Sequence, residues 1–272
     1  MSSRCPDILA AVLLALATHA AQAGDAAPLR VCADPDNMPY SQRDGSGFEN
    51  RIARLVADDL HRPLAWFWQE QRRGFVRKTL GAGECDVLIG VPAGFDKVLR
   101  TRPYYRSTYV AVSRPGEPPF AGFEADQLRG RRFGVQLIGN DLAASPPGYA
   151  LAEHGATANV TGFLVYGDGP AARRMVDAVA ARDIDVALVW GPQAGYFVRH
   201  ASVPLALAPV AAPAGLPAPF DYAIAMGVRK GDTVLRDQLD EVLARRRADI
   251  DAILADYAVP RVDVAAAREG TP

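Results

Sequence analysis

The chain has 272 residues, with three cysteines, four histidines and 31 acidic side chains, and few of these fall at spacings that suggest chemistry. Asp34, Asp36, Asn37 and Asp44 crowd oxygens into one stretch, but they lack the central glycine and terminal glutamate of a calcium loop. The stretch reads as a solvated turn, and no metal ligand set is assigned. His61, His154 and His200 are far apart and suit helix ends or the surface. No Gly-x-Ser-x-Gly elbow presents a nucleophile and no Gly-x-x-x-x-Gly-Lys loop cradles phosphates. The first strand runs into Asp34-Pro35 instead of a dinucleotide-binding glycine turn. Glu49, Asp34 and Asp96 are the carboxylates a hydrolase could use, without a paired acid and base beside them. What remains is the inventory of a binding cleft. Tyr40, Phe48, Phe75, Phe95 and Trp190 supply rings, with Phe48 and Phe75 also suited to the core. Asp34, Met38, Glu49, Arg73, Asp96, Gln136 and Asn140 are its other expected contacts. Arg72 and Arg73 fit a solvated helix start or an anion site equally well. No catalytic residue, metal or cofactor is expected.

The N-terminus reads as an export signal: Arg4, an apolar run from Ile8 to Ala17, and the small-residue site Ala21-Gln22-Ala23, with cleavage near Ala23. That run is too short for a bilayer, and no later stretch reaches the roughly 20 apolar residues a spanning helix needs. A free periplasmic protein without membrane insertion is expected. Cys5 leaves with the signal, so Cys32 and Cys85 form an even pair in an oxidising compartment. One disulfide is the default, and two buried free thiols are the alternative. Lys plus Arg number 30 against 31 Asp plus Glu, with no basic stripe, which argues against a nucleic-acid partner.

The elements that must position these residues alternate. Strands are expected at Leu29 to Ala33, Leu64 to Trp68 and Val87 to Val91, with helices from Phe48 to Leu60 and Phe75 to Leu80 between them. A Pro-rich stretch from Ser113 to Pro119 precedes a second series. Strands are expected there at Arg132 to Gln136, Val160 to Leu164 and Val186 to Trp190, with helical stretches from Asp141 to His154 and Ala171 to Ala181. Asp86-Val87-Leu88-Ile89-Gly90-Val91-Pro92 resembles Asp185-Val186-Ala187-Leu188-Val189-Trp190-Gly191-Pro192, a single short internal match. After the Pro-rich run from Pro209 to Pro219 come a strand, Tyr222 to Val228, and a helical tail from Asp232 to Tyr257. The fold class is therefore α/β and two-lobed, each lobe a mostly parallel sheet flanked by helices. Residues 1–23 form the signal, 24–113 with 221–272 a discontinuous first lobe, and 114–220 the second. Two crossing strands make a hinge, and the ligand cleft lies beyond the strands' carboxyl ends. The first strand is expected beside the third, which brings Cys32 and Cys85 within bridging distance.

Leu29-Arg30-Val31-Cys32-Ala33 with Met38-Pro39-Tyr40 and Gly47-Phe48-Glu49, then Gly134-Val135-Gln136 and Tyr222 to Asp232, resemble the periplasmic solute-binding proteins that feed polar amino acid transporters, over nearly the whole mature chain. A narrower likeness lies in Gln71 to Arg77, Cys85-Asp86-Val87, Gly90 to Asp96 and Arg102 to Val110. These look like the J-proteins of methanol oxidation clusters. That resemblance implies a periplasmic accessory of a quinoprotein (pyrroloquinoline-quinone) dehydrogenase, assisting its maturation or activity. A conventional transporter-feeding protein for a small solute is the alternative, and a hydrolase on the same fold the third reading. The amino-acid binders of this family clamp the α-carboxylate with an Arg after the third strand and the α-ammonium with an Asp ending its counterpart. Here Pro92 to Lys97 lacks that Arg, Trp190 stands at the Asp position, and Asn140-Asp141 puts a negative charge where the carboxylate would sit. The expected ligand is bulkier and less charged than an amino acid.

Overall fold

The computed structural model describes residues 26–138, 143–165 and 167–262. The expected export signal and Asn140 lie outside them. In chain order the first elements are β1 (Leu29–Ala33), β2 (Asp36–Asn37), β3 (Ser41–Gln42), α1 (Phe48–Asp59), β4 (Leu64–Trp68), α2 (Phe75–Lys78), β5 (Val87–Pro92), β6 (Leu99–Arg100) and β7 (Tyr105–Ser113). There follow α3 (Ala125–Leu128), β8 (Phe133–Ile138), β9 (Ala143–Ala144), α4 (Pro146–Glu153), β10 (Val160–Leu164), α5 (Ala171–Ala180), β11 (Val186–Trp190) and α6 (Gly191–Arg199). The chain closes with β12 (Ala206–Pro209), β13 (Asp221–Val228), α7 (Thr233–Arg245) and α8 (Arg247–Asp256).

Local pattern explains most of this. In α1 the residues Phe48, Ile52, Ala53 and Val56 recur at helical spacing and are all buried. The helix expected from Asp141 begins at Pro146, because proline at the first turn has no N–H to leave unpaired and a φ already suited to a helix. The expected helical tail is two helices, α7 and α8. Arg245 and Arg246, whose side chains would diverge by about 100° on a continuous helix, both reach the Asp59 carboxylate of α1, at 2.5 and 3.6 Å, and the chain turns at Arg246 to allow it.

The two lobes share a plan. In the first the strand order is β4-β1-β5-β13, in the second β10-β8-β11-β7. Pairs within each set of three are parallel, and β13 and β7 join antiparallel to β5 and β11. The sequence reading places no element at Tyr105–Ser113, yet β7 is the longest strand. Tyr105 to Thr108 pair with Asp221 to Ile224 of β13, and Tyr109 to Ser113 pair with β11. With β13 it makes the two crossing strands of a two-lobed binding-protein fold. The chain's end adds a brace: Ser107 donates to the Pro260 carbonyl (2.6 Å), Val262 N–H to Arg106 (3.2 Å), and Arg199 of α6 to the Asp256 carbonyl (2.8 Å).

The short internal match is a geometric repeat. The Asp86 carboxylate, just before β5, accepts from the backbone N–H and guanidinium of Arg30 and from Arg229. Asp185, just before β11, accepts in the same way from the backbone and guanidinium of Arg132 and from Arg114. Arg132, with Arg114, holds the Asp185 carboxyl well below the usual range. At Asp86 burial pushes the carboxyl up, but Arg30 and Arg229 outweigh it and the net shift is down. Both clamps therefore stabilise the fold above about pH 4, the ordinary carboxylate range, and that stability is lost as pH falls through the lowered folded values. Asp86→Asn or Asp185→Asn should each cost about 2–3 kcal/mol at neutral pH, the worth of charge-assisted bonds. Urea unfolding checks this, and an unchanged midpoint would count against it.

Cys32 and Cys85 form the expected disulfide, with Cα atoms 5.5 Å apart, between β1 and the start of β5. It is buried with Phe75, Leu80 and Leu88 in a cluster separate from the main core of the first lobe.

Candidate functional site

The cleft is built from the turn after β1. The Asp34 carboxylate accepts from the backbone N–H of Asp36 (2.9 Å) and of Gln71 (2.6 Å), tying two loops together. The buried Asn50 side chain accepts from Gln42 N–H (2.9 Å) and Gly47 N–H (3.1 Å), which closes the N-terminus of α1 over the same turn. Phe48 N–H then donates to Pro39 (2.8 Å) and Glu49 N–H to Tyr40 (2.9 Å). Gly47 permits this approach, since a Cβ there would overlap the Tyr40 carbonyl. Tyr40 and Glu49 are thereby held side by side at the mouth of α1.

A cavity of about 820 Å³ opens in front of them, lined from both lobes, within the usual range for a small-molecule site. Tyr40, Glu49, Gly90 and Phe75 come from the first lobe, Gln136 and Trp190 from the second, and Tyr105, Tyr109 and Tyr222 from the crossing strands. Trp190 sits 5.4 Å from Tyr109 and 5.7 Å from Tyr222 between ring centroids, at interplanar angles of 63° and 71°. The three rings meet edge to face instead of in a flat stack. Trp190 and Tyr40 line this cavity from opposite lobes.

Charge in this cavity is lopsided. Among the described residues its carboxylates are Asp34, Asp36, Glu49 and Glu70, and its one basic side chain is Arg72, at 2.5 Å from Glu70. Among the described residues nothing pairs with the Glu49 carboxylate, and desolvation alone pushes its pKa up to about 7. Gly90 makes room for it, because any Cβ on that residue would overlap the carboxylate. Burial raises the phenols of Tyr40, Tyr104, Tyr105 and Tyr109, so all stay neutral through the physiological range. Tyr104 donates to the Ile89 carbonyl (3.0 Å).

Of the expected contacts, Asp34, Tyr40, Glu49, Phe75, Gln136 and Trp190 meet at this cavity. Phe48 is fully buried in the first lobe's core. Met38 packs against the second lobe's core. Phe95 lines a separate groove with Phe75 and Leu80, Asp96 is exposed beside Lys97 (3.7 Å), and Arg73 is exposed. Sequence reasoning missed Tyr105, Tyr109 and Tyr222. The signal was there in the spacing of Tyr105 and Tyr109 on one strand, once that strand is recognised.

Among the described residues no group of His, Cys, Asp and Glu is arranged to hold a metal ion, and no helix is long and apolar enough to cross a membrane.

The family model of bacterial extracellular solute-binding proteins, family 3, matches residues 29–259. Protein MoxJ of Methylorubrum extorquens is 34% identical over 261 residues, covering 88% of this chain and 83% of that protein. The crystal structure of the periplasmic binding protein XoxJ from Methylobacterium extorquens AM1 is 36% identical with a TM-score of 0.71, covering 86% of this chain and 99% of that one. MxaJ from Methlophaga aminisulfidivorans is 25% identical with a TM-score of 0.74, covering 86% of this chain and all (100%) of that one. The match to the family model spans both lobes and the crossing strands, and this chain belongs to family 3 of the bacterial extracellular solute-binding proteins.

Proposed function

We propose that this protein is a non-enzymatic periplasmic accessory of a quinoprotein methanol or alcohol dehydrogenase, assisting its maturation or activity, with a cleft that does not grip zwitterionic amino acids. The association with a dehydrogenase rests on the likeness to MoxJ and XoxJ along most of the chain, together with the runs Gln71 to Arg77 and Arg102 to Val110 that resemble the J-proteins. The observation that carries the cleft reading is that no described residue offers the cavity an unpaired cation. Arg72 is engaged with Glu70, so an incoming α-carboxylate would meet Asp34, Asp36 and Glu49 without a counter-charge. Trp190 at the end of β11 offers no anion to an α-ammonium.

Two measurements test this. Titration calorimetry with the common amino acids is expected to show no binding tighter than millimolar, and micromolar affinity for any of them would refute the cleft reading. Immobilised mature protein is expected to retain a large quinoprotein subunit from a periplasmic extract of its own organism. Retention of a permease with no dehydrogenase would instead favour solute transport.

A further inference from the structure

We infer that the cleft takes an organic ammonium ion that carries no carboxylate, with Glu49 as its counter-ion and the rings of Tyr40, Tyr105, Tyr109, Trp190 and Tyr222 as its walls. This deepens the proposed function and rests on its premise that the zwitterion clamp is absent. The expected ligand, bulky and less charged than an amino acid, thereby becomes one bearing a single positive charge.

Charge sign is the first support. A desolvated carboxylate without a partner is costly, and it persists in a binding site where a ligand supplies the missing cation. The other acids at the cavity are already engaged or at its edge: Asp34 is satisfied by two backbone N–H groups, Glu70 by Arg72, and Asp36 is exposed. Glu49 alone is left inward-facing and unmatched among the described residues.

Ring chemistry is the second. Six aromatic side chains line the same cavity as that carboxylate, these five and Phe75. Aromatic faces attract desolvated cations by roughly 0.5–2 kcal/mol each, and tryptophan does so best. Tyr109 and Tyr222 both meet Trp190 edge to face, with ring centroids 5.4 and 5.7 Å from it. A neutral apolar ligand would use the rings but leave Glu49 buried and unpaired. An anion would meet three further carboxylates.

Proton linkage is the third. The groups facing Glu49 are the neutral phenols of Tyr40, Tyr104 and Tyr105, and Asp34, Asp36, Glu70 and Arg72 share the cavity. With its pKa near 7, Glu49 must lose a proton to serve as counter-ion at lower pH. Affinity for a permanent cation should then fall about tenfold per pH unit below that point and level off above it.

The test is calorimetry on the mature protein with three probes of similar shape: choline, its neutral isostere 3,3-dimethylbutanol, and glycine betaine, which adds a carboxylate. Choline is expected to bind at least tenfold more tightly than either of the others at pH 8. Glu49→Gln should remove that preference while leaving the affinity for 3,3-dimethylbutanol unchanged, and Trp190→Leu should weaken choline binding at least tenfold. Thermal melts of both variants establish that they fold. The inference is overturned if the neutral isostere binds as well as choline, if choline fails to bind at millimolar concentration, or if Glu49→Gln binds choline normally. Betaine binding as tightly as choline would instead strike the lost-clamp reading beneath it.

Discussion

Replacing Glu49 by Gln is expected to stabilise the ligand-free protein by on the order of 3 kcal/mol at pH 8 and by almost nothing at pH 4. The sign follows from linkage. Burial raises the Glu49 carboxyl from 4.5 to about 7, so the folded state holds this proton more tightly than the unfolded chain does. Between those two values the unfolded chain releases the proton first, and folding becomes steadily less favourable as pH rises. Above about 7 both states are ionised and the full penalty stands, at roughly 1.4 kcal/mol per pKa unit. Gln keeps the shape and removes the charge. Urea unfolding of the two proteins across pH 4 to 8 should give curves that diverge through this window, and parallel curves would show that Glu49 is not desolvated in the folded chain. A protein that tolerates such a penalty at rest is one whose cleft is set for something other than stability.

The second large effect concerns the disulfide. Replacing both Cys32 and Cys85 by Ala should cost about 4 kcal/mol. The bridge closes a loop with a sequence separation of 53, and the loss of unfolded-state entropy for that length is of this size in the chain-entropy model. For a chain of this length the melting temperature should drop by roughly 8–16 °C. Scanning calorimetry checks it, and a loss below about 1 kcal/mol would show that strand pairing alone fixes the two ends. The clamp of Arg30 and Arg229 on Asp86 spans the same junction as the bridge. The two devices are therefore neighbours, and their losses need not add.

Much of the fold was legible in the order of residues. Strands β1, β4, β5, β8, β10 and β11 are short apolar runs bounded by turn residues, and each lies within about two residues of its expected span. The even cysteine pair, with an expected export signal before it, pointed to the bridge that the structure holds. The match between Asp86 and Asp185 was visible as seven or eight letters, but its meaning as a repeated two-arginine clamp was not, because the four arginines are scattered from Arg30 to Arg229. The missed strand β7 has a physical cause as well. It is buried on both faces for most of its length, so it lacks the polar alternation that marks a half-exposed strand, and the prolines that follow it have the composition of a linker.

What the sequence determines by itself is what depends on neighbours a few residues apart: helix faces, strand runs, proline starts, the alternation of elements and hence the two-lobed class. The chemistry of the cleft is decided only in three dimensions. Glu49 becomes an unpaired carboxylate facing a cavity in three dimensions: Gly90 of another strand leaves it room, and Trp190, 141 positions on from Glu49 in the numbering, lines that cavity from the other lobe beside Tyr222. Burial and charge pairing are properties of everything that surrounds a group, and in this fold those surroundings are assembled by two strands that cross between the lobes from distant parts of the chain.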